Sequence, residues 1–282
     1  MNSHARLLGY WSFDNKNDVG RDLSPNKNHG ELKGGAEWIG RGKVGGALKL
    51  VEAADSYLEV PHADSLNVKD QVTLMCWVQF ANPGDLTGTG RDMSLIWKNG
   101  PPGDKRFLTA YALRIVRPHT KFGSFTFDAT MTQGRAAAAD PDFLDAADAG
   151  KTWFHVAGVA DGTKIRVYRN GKQTAEADQR GEFQISEHPL TIGFDLRAAK
   201  AEARRDQLGY VDGLMDEVVV IDKALAPADI KAAMELGEKG DTLESFQPVF
   251  AVEPEGKLAT KWAENQSQEV RSERAVHKRA IP

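Results

Sequence analysis

The sequence predicts an all-β protein: a two-sheet antiparallel sandwich or jelly roll with one short helix after the last strand. Roughly twelve to fourteen short apolar runs, several with strand alternation, are separated by turns rich in the chain's 27 glycines. Asn170-Gly171, between two such runs, is the strongest short-range signal of a β-hairpin. Strands do not alternate with helices and no long repeat is present, which argues against α/β and solenoid folds.

The chain is organised around residues 210–221, which have the pattern of one long strand. Its apolar, β-branched half, residues 218–221, is typical of a strand buried in a sheet. Asp216 and Glu217 precede that half, and strand alternation predicts that they point to opposite faces. A carboxylate that enters a packed sheet needs a cation or several backbone N–H groups as its partner.

Several segments interrupt the series of strands. Residues 84–103 form a long loop rich in glycine, proline and aspartate. The Ala/Asp-rich insertion at residues 133–151 is expected to form either a short helix or a solvated loop. Residues 196–207 have helical propensity and mixed charge, which indicates a helix on the rim. After the last strand, Pro227 opens a helix that is expected to end near residue 237.

Composition narrows the classes of function. The net charge of −4 gives no basic field that attracts nucleic acid, and no apolar run is long enough to span a membrane. The single cysteine, Cys76, excludes an internal disulfide and is expected to be a small buried core residue. The N-terminus shows no hydrophobic signal region, so the protein is cytosolic or a leader has been removed.

One histidine lies inside a strand pattern, where it has two interpretations. His155 alternates with Trp153 and Ala157, and a general base is the functional interpretation. No Ser, Cys or paired carboxylate lies near it in sequence, so a hydrogen-bonded interior histidine is expected instead. The other six histidines show no metal-ligand spacing.

Changes in composition indicate one domain and two C-terminal segments. Residues 1–240 hold the strand signals and form the domain. Residues 241–262 still carry apolar residues and are expected to pack on the domain or add an edge strand. Residues 263–282 are charged and lack periodicity, so they are expected to be disordered without a partner.

Eight pieces of the sequence occur in the order in which they occur in a known family. They are GYWSFD, DLSPNKNHG, GKVGGALKL, DSYLEVP, VTLMCWV, TWFHVAGVADGTKIRVYRNGK, PLTIGF and GYVDGLMDEVVVIDKALAPADI, within residues 7–237. In these pieces the chain resembles bacterial laminin-G-like domains of the concanavalin A-like lectin/glucanase superfamily, which are common in secreted proteins. The resemblance implies a jelly roll of two curved antiparallel sheets with six or seven strands each.

The resemblance also implies a structural Ca²⁺ where the first strand, a glycine turn and the last strand meet. In this sequence the implied ligands are Asp14, the backbone at Gly45 and Gly46, and Asp216. Asp22, in the Asp/Asn-rich first loop, is a further candidate because short side-chain oxygens bind hard cations. The alternative is that Asp216 accepts N–H bonds from the neighbouring turn and that Asp14 caps such a turn.

Three aromatic residues flank loops and are candidates to stack on sugar rings. They are Trp38, Trp97 and Phe194, whose rings offer faces that pack against apolar C–H surfaces. The alternative for each ring is packing in the core or at the rim.

These patterns indicate a non-catalytic binding module, and the resemblance implies a secreted or cell-surface location. The first hypothesis is glycan recognition, with Ca²⁺ in a structural role. The alternative is a module that binds an extracellular protein, or drives assembly, through the long loops and the charged tail. A glycoside hydrolase has the least support, because jelly-roll glucanases usually carry Glu-x-Asp-x-x-Glu on one strand and this motif is absent.

Overall fold

The structure is a computed structural model. It describes eight stretches of the chain, which are residues 5–51, 54–81, 92–100, 109–116, 123–142, 144–148, 150–195 and 208–243. The rim helix predicted at residues 196–207, the tail at 263–282 and nearly all of the extension at 241–262 lie outside them. The long loop predicted at residues 84–103 is described only from residue 92 to residue 100, where it forms a strand.

The described residues form strands in two sheets and one α-helix, as the sequence predicts. The strands are β1 (Leu7–Trp11), β2 (Glu31–Lys33), β3 (Glu37–Ile39), β4 (Ala47–Leu50), β5 (Tyr57–Val60), β6 (Gln71–Phe80), β7 (Asp92–Asn99), β8 (Thr109–Val116), β9 (Ser124–Met131), β10 (Gly134–Ala139), β11 (Phe154–Asp161), β12 (Lys164–Arg169), β13 (Lys172–Asp178), β14 (Leu190–Ile192), β15 (Leu208–Gly209) and β16 (Gly213–Ile221). The helix is α1 (Pro227–Lys239), and short 3₁₀ turns span Asp64–Leu66 and Ala146–Asp148.

The strands build two eight-stranded sheets. The first sheet has the order β13-β12-β11-β6-β16-β4-β3, with β1 also paired to β16. The second has the order β10-β9-β8-β7-β14-β5-β2, with β15 parallel to β7. Each sheet exceeds by at least one strand the six or seven that the resemblance implies.

Alternation along the strands fills the space between the sheets with apolar side chains. In β16, for example, Met215, Val218 and Val220 point into this core and are fully buried. Facing residues of the second sheet, such as Phe127, close it from the other side. Cys76 lies in the same core with 0% exposure, as predicted, and burial raises the pKa of its thiol.

Helix α1 covers part of the outer face of the first sheet. Pro227 occupies its first turn, and Gly240 ends it in the left-handed conformation with a φ of 77°. Ile230 and Ala233 are buried in a second apolar cluster with outward residues of the sheet. The predicted helix is confirmed and extends two residues beyond its expected end. Among the described residues, no helix has the length and apolar character needed to cross a membrane.

The structure confirms the predicted hairpin turn but differs from the prediction for the insertion at residues 133–151. Asn170 and Gly171 have φ values of 49° and 73°, the positive pair that a type I′ hairpin between β12 and β13 requires. The insertion at 133–151, predicted as a helix or a solvated loop, instead begins with edge strand β10. Small side chains explain this difference, because Ala136 and Ala138 alternate into the core without any β-branched residue.

Candidate carboxylate site and adjacent cleft

A gap in the edge pairing of β16 creates the candidate site. Strand β1 pairs with residues 218–221 of β16, and β4 pairs with residues 213–215 on the same edge. Asp216 lies beside the gap between them. The chain leaving β1 turns at Phe13, which has a φ of 57°, and the glycine turn at residues 42–46 precedes β4. The first strand, a glycine turn and the last strand therefore meet here, as the resemblance implies.

Asp216 is fully buried at this junction. Its Oδ2 accepts the N–H of Val44 at 2.9 Å, and its Oδ1 accepts the N–H of Glu217 at 2.8 Å. Burial raises the pKa of Asp216 well above its usual range, and the charges of Glu217 and Asp14 add to this shift. Within the described stretches, no Lys, Arg or His forms an ion pair with Asp216. A bound cation would therefore stabilise this carboxylate in the folded state.

Asp14 faces the same turn from the end of the first strand. Its Oδ1 accepts the N–H of Gly46 at 3.0 Å. A Cβ on Gly45 would lie 2.1 Å from this oxygen, and the φ of 52° at Gly45 also favours glycine. A Cβ on Gly42 would lie 2.6 Å from Asp216 Oδ2 and 2.0 Å from the carbonyl oxygen of Gly46. The structure thus brings the four predicted positions Asp14, Gly45, Gly46 and Asp216 together.

The oxygens of this junction are of the kind that Ca²⁺ prefers. Besides the carboxylates of Asp14 and Asp216, the carbonyl oxygens of Phe13 and Gly46 lie against the turn. The described residues contain no group of three or more His, Cys, Asp or Glu side chains placed to hold a metal ion. Backbone carbonyls and water would have to complete the shell. Both carboxylates also accept backbone N–H bonds, as the alternative predicts, so Ca²⁺ stays a prediction.

Asp22 lies in the first loop, and both of its oxygens are occupied by hydrogen bonds. It is fully buried, and Oδ1 accepts the N–H groups of Tyr10 and Ser24, each at 2.8 Å. Oδ2 accepts the hydroxyl of Ser24 at 2.7 Å and the N–H of Asn28 at 2.6 Å. Four donors use most of the acceptor capacity of a carboxylate. Asp22 organises its own loop, and binding a Ca²⁺ would compete with these bonds.

The prediction that Asp216 and Glu217 point to opposite faces is wrong. A β-bulge follows Asp216 in the pairing with β6, and Glu217 has a φ of 49°. The carboxylate of Glu217 accepts the hydroxyl of Tyr10 at 2.8 and 2.9 Å and the N–H of Leu243 at 3.1 Å. Tyr10 and Leu243 belong to the cluster under helix α1. Asp216 lies on the same outer face, directly opposite Trp77.

The three aromatic residues predicted to stack on sugars occupy different environments. Trp38, on edge strand β3, is partly exposed and donates its Nε1–H to the carbonyl of Phe13 at 3.0 Å. Trp97 is 1% exposed and Phe194 is 0% exposed. The ring of Phe194 stacks on Tyr210 with centroids 4.0 Å apart. Sugar stacking by these residues stays a prediction, but Trp97 and Phe194 would first have to be uncovered.

His155 is interior, as predicted, but the hydrogen bond expected at its ring is missing at Nδ1. The residue is 3% exposed, and Nδ1 has no partner in the described structure. The ring meets Trp77 edge-on with centroids 5.2 Å apart. Burial lowers the pKa of His155 to about 3, so the imidazole is neutral at physiological pH.

An open cleft lies on the same face of the first sheet as the carboxylate junction. Its volume is about 500 Å³, which is within the range of small-molecule sites. Lys49, Leu214 and Gln79 form its floor as directly paired residues of β4, β16 and β6. The remaining lining residues are Arg41, Gly42, Leu50, Val51, Ala81, Gly150, Trp153, Asp212 and Gly213.

The sequence analysis missed this cleft. Strand alternation could have placed Lys49, Leu214 and Gln79 on one face, because each lies next to at least one residue of the main core. Arg41 and Trp153, however, come from the connections before β4 and β11. No periodicity in the sequence predicts where two such connections meet.

A second polar cluster lies on the outer face of the second sheet. Arg114 donates to Asp92 and to Asp128 at 2.5 Å each, and Arg135 also donates to Asp128. Asp128 is 1% exposed. Both carboxylates accept from Arg114, so charge-assisted hydrogen bonds hold this cluster together.

Comparison with known proteins identifies the class. A laminin-G family model, described as the concanavalin A-like lectin/glucanases superfamily, matches residues 52–231. The chain belongs to this family, which confirms the resemblance seen in its sequence. No curated protein sequence matches the chain.

Several solved structures share the fold. Domain 4 of AbnA, an extracellular arabinanase of family GH43 from Geobacillus stearothermophilus solved with arabinotriose, is 19% identical, with a TM-score of 0.58 and coverage of 82% of this chain and 98% of that domain. The binding domain of paraclostridial mosquitocidal protein 1 is 15% identical, with a TM-score of 0.59 and coverage of 81% and 52%. The ligand-binding domain of botulinum neurotoxin serotype D, solved with N-acetylneuraminic acid, is 12% identical, with a TM-score of 0.55 and coverage of 81% and 50%. The chain spans about half of these two toxin domains, and the likeness shows the fold alone.

Proposed function

We propose that this protein is a non-catalytic glycan-binding module that acts outside the cell or at its surface. The observation that carries the proposal is the open cleft, in which the partly exposed indole of Trp153 lies beside hydrogen-bonding side chains. An aromatic face with a few polar groups around it is the usual composition of a site for an amphipathic ligand such as a sugar. Membership of a lectin superfamily, and neighbours solved with arabinotriose and N-acetylneuraminic acid, support the choice of ligand.

We further propose a structural Ca²⁺ at the junction of Asp14 and Asp216. The ion would join the end of the first strand, the glycine turn and the last strand through carboxylate and carbonyl oxygens. It would also neutralise Asp216, which is buried beside two other carboxylates. Because Gly42 belongs both to the turn and to the lining of the cleft, the ion would hold one wall of the cleft in place.

The arrangement of carboxylates supports binding without catalysis. Glycosidases use one carboxylic acid and one carboxylate across the sugar bond. Glu217 is occupied by Tyr10 and Leu243, and the Asp92–Asp128 pair is bound by Arg114. Of the lining residues that the structure describes, Asp212 is the single acidic one.

A glycan array tests the proposal directly. The intact chain is applied with Ca²⁺ and again with EDTA, and hydrolysis of every bound glycan is checked by mass spectrometry. We expect reproducible binding that Trp153→Ala weakens and that Ile185→Ala, in an exposed apolar side chain outside the cleft, leaves largely unchanged. If the protein binds glycans and Trp153→Ala leaves that binding unchanged, the cleft is not the glycan-binding site. Absence of any glycan binding by folded protein would contradict the function and favour the protein-interaction alternative.

A further inference from the structure

We propose that the cleft selects an acidic sugar, that Arg41 binds the sugar's carboxylate, and that Asp216 positions Arg41. This inference rests on the proposed glycan-binding function and adds the chemical class of the ligand. Three features of the cleft carry it: the charge of its lining, the placement of its apolar surface, and the attachment of Arg41 to the carboxylate junction.

The lining of the cleft is locally basic, although the whole chain carries a net charge of −4. Among the described lining residues, Arg41 and Lys49 are opposed by one carboxylate, Asp212. Arg41 is exposed and forms no ion pair with any described residue. Its planar guanidinium matches a carboxylate in a two-point, charge-assisted contact. An anionic group on the ligand would supply the partner that this side chain lacks among the described residues.

Lys49, on the floor of the cleft, adds to the positive charge of the lining. Its Nζ lies 2.6 Å from Glu37, which is outside the lining. The two side chains are 39% and 58% exposed, and an exposed pair of this kind is weak. The ammonium group can therefore turn toward an anionic ligand at little cost.

The apolar part of the lining lies where a sugar ring would rest. Leu214 is at the centre of the floor, between Lys49 and Gln79, and Trp153 is part of the lining. A pyranose ring has an apolar C–H face that packs on such surfaces. The carboxamide oxygen of Gln79 supplies a hydrogen-bond acceptor for a hydroxyl, while its Nε2 donates to the carbonyl of Lys151 at 3.3 Å.

The backbone that carries Arg41 is anchored by the turn that follows it. Gly42 donates its N–H to the carbonyl of Gly45 at 2.8 Å and packs against Asp216 Oδ2 so closely that a Cβ would lie 2.6 Å from it. Val44 donates its N–H to the same oxygen at 2.9 Å. Asp216 thus fixes the turn that begins directly after Arg41. We assign Asp216 the role of a positioning residue for the contact of Arg41 with the sugar.

The test measures the preference for acidic over neutral forms of the same sugar. The probes are trigalacturonic acid with its methyl ester, and 3′-sialyllactose with lactose, each titrated calorimetrically into the Ca²⁺-saturated intact chain. The array adds further acidic glycans with neutral counterparts. The variants are Arg41→Gln, Asp216→Asn and, as a matched control, Arg21→Gln, which changes an exposed arginine outside the lining. Circular dichroism and thermal melts verify that each variant is folded.

We expect at least one acidic form to bind about tenfold more tightly than its neutral counterpart, because a hydrogen-bonded charge contact has that worth. Arg41→Gln should remove most of this preference, Asp216→Asn should reduce it in a folded protein, and Arg21→Gln should retain it. If acidic and neutral forms bind equally, or Arg41→Gln keeps the preference, the inference is overturned while glycan binding stands. If Asp216→Asn keeps the full preference, its positioning role is overturned. If no glycan binds at all, the proposed function fails, and the inference fails with it.

Discussion

The Ca²⁺ response of Asp216 is the sharpest test of the carboxylate junction. The perturbation is Asp216→Asn, compared with wild type in metal-free buffer and across a Ca²⁺ titration by differential scanning calorimetry. Asparagine keeps the size of the side chain and removes its charge. With only one acceptor oxygen, it can accept from Val44 or from Glu217 but not from both as Asp216 does.

The size of the expected Tm change depends on two contributions, the binding of Ca²⁺ and the effect of the substitution on the metal-free protein. An ion that binds only the folded state stabilises it by RT ln(1 + [L]/Kd), about 2.7 kcal/mol at 100-fold saturation. For a domain of this size that corresponds to a rise in Tm of about 5–10 °C. In the metal-free protein, Asp216→Asn loses an acceptor at a cost of about 1–3 kcal/mol but relieves a buried charge. Since these two effects oppose each other, the change of Tm with Ca²⁺, rather than its baseline value, is the informative quantity.

We expect wild type to show this rise with Ca²⁺ and a matching fall with EDTA, and Asp216→Asn to show neither. Asp22→Asn is the matched control, because Asp22 is equally buried but holds its own loop through four hydrogen bonds. It should lower Tm and retain the Ca²⁺ response. A wild-type melting curve that is unchanged between millimolar Ca²⁺ and EDTA, in protein verified to be metal-free, would refute the metal site and leave Asp216 as a hydrogen-bonded carboxylate.

Three further predictions follow from named contacts. Because the pKa of Asp216 in the folded state is raised above its unfolded value of about 4, the metal-free wild type should lose stability relative to Asp216→Asn as pH rises above about 4, and Ca²⁺ should remove this loss. His155, whose pKa is lowered to about 3, destabilises both proteins alike as pH falls and cancels in the comparison. Gly45→Ala should cost about 1–3 kcal/mol from its φ of 52°, with more from the contact with Asp14, seen as a lower midpoint in urea. Cys76 should resist a thiol reagent in the native state and react in denaturant, and rapid native labelling would contradict its burial.

Regular features of the sequence predict most of the fold, and irregular ones account for the differences. Alternation in β6 and β16, the Asn170-Gly171 turn and Pro227 each specify local structure that depends little on the remainder of the chain. The alanine-rich strand β10 escapes prediction because its side chains lack β propensity, and pairing with β9 stabilises it instead. Its place in the sheet is thus a tertiary effect.

In the candidate site, too, some residues can be predicted from the sequence and others cannot. Asp14, the glycine pair and Asp216 can be placed together from the order of family motifs, and the structure brings them together. Trp153 and Arg41 could not be found in this way, because their meeting depends on the paths of two connections between strands. Trp97 and Phe194 flank loops in the sequence, but their burial depends on residues distant in the chain, such as Tyr210.

The bulge after Asp216 is where local irregularity and the proposed function meet. Regular alternation would direct one of the two adjacent carboxylates into the apolar core, at a cost of several kcal/mol if it were unpaired. The left-handed conformation of Glu217 instead keeps both on the outer face, where different partners are available. Glu217 binds Tyr10 and the chain just beyond helix α1, whereas Asp216 holds the glycine turn beside the cleft. One inserted residue therefore lets a single strand anchor the C-terminal helix and a wall of the ligand site.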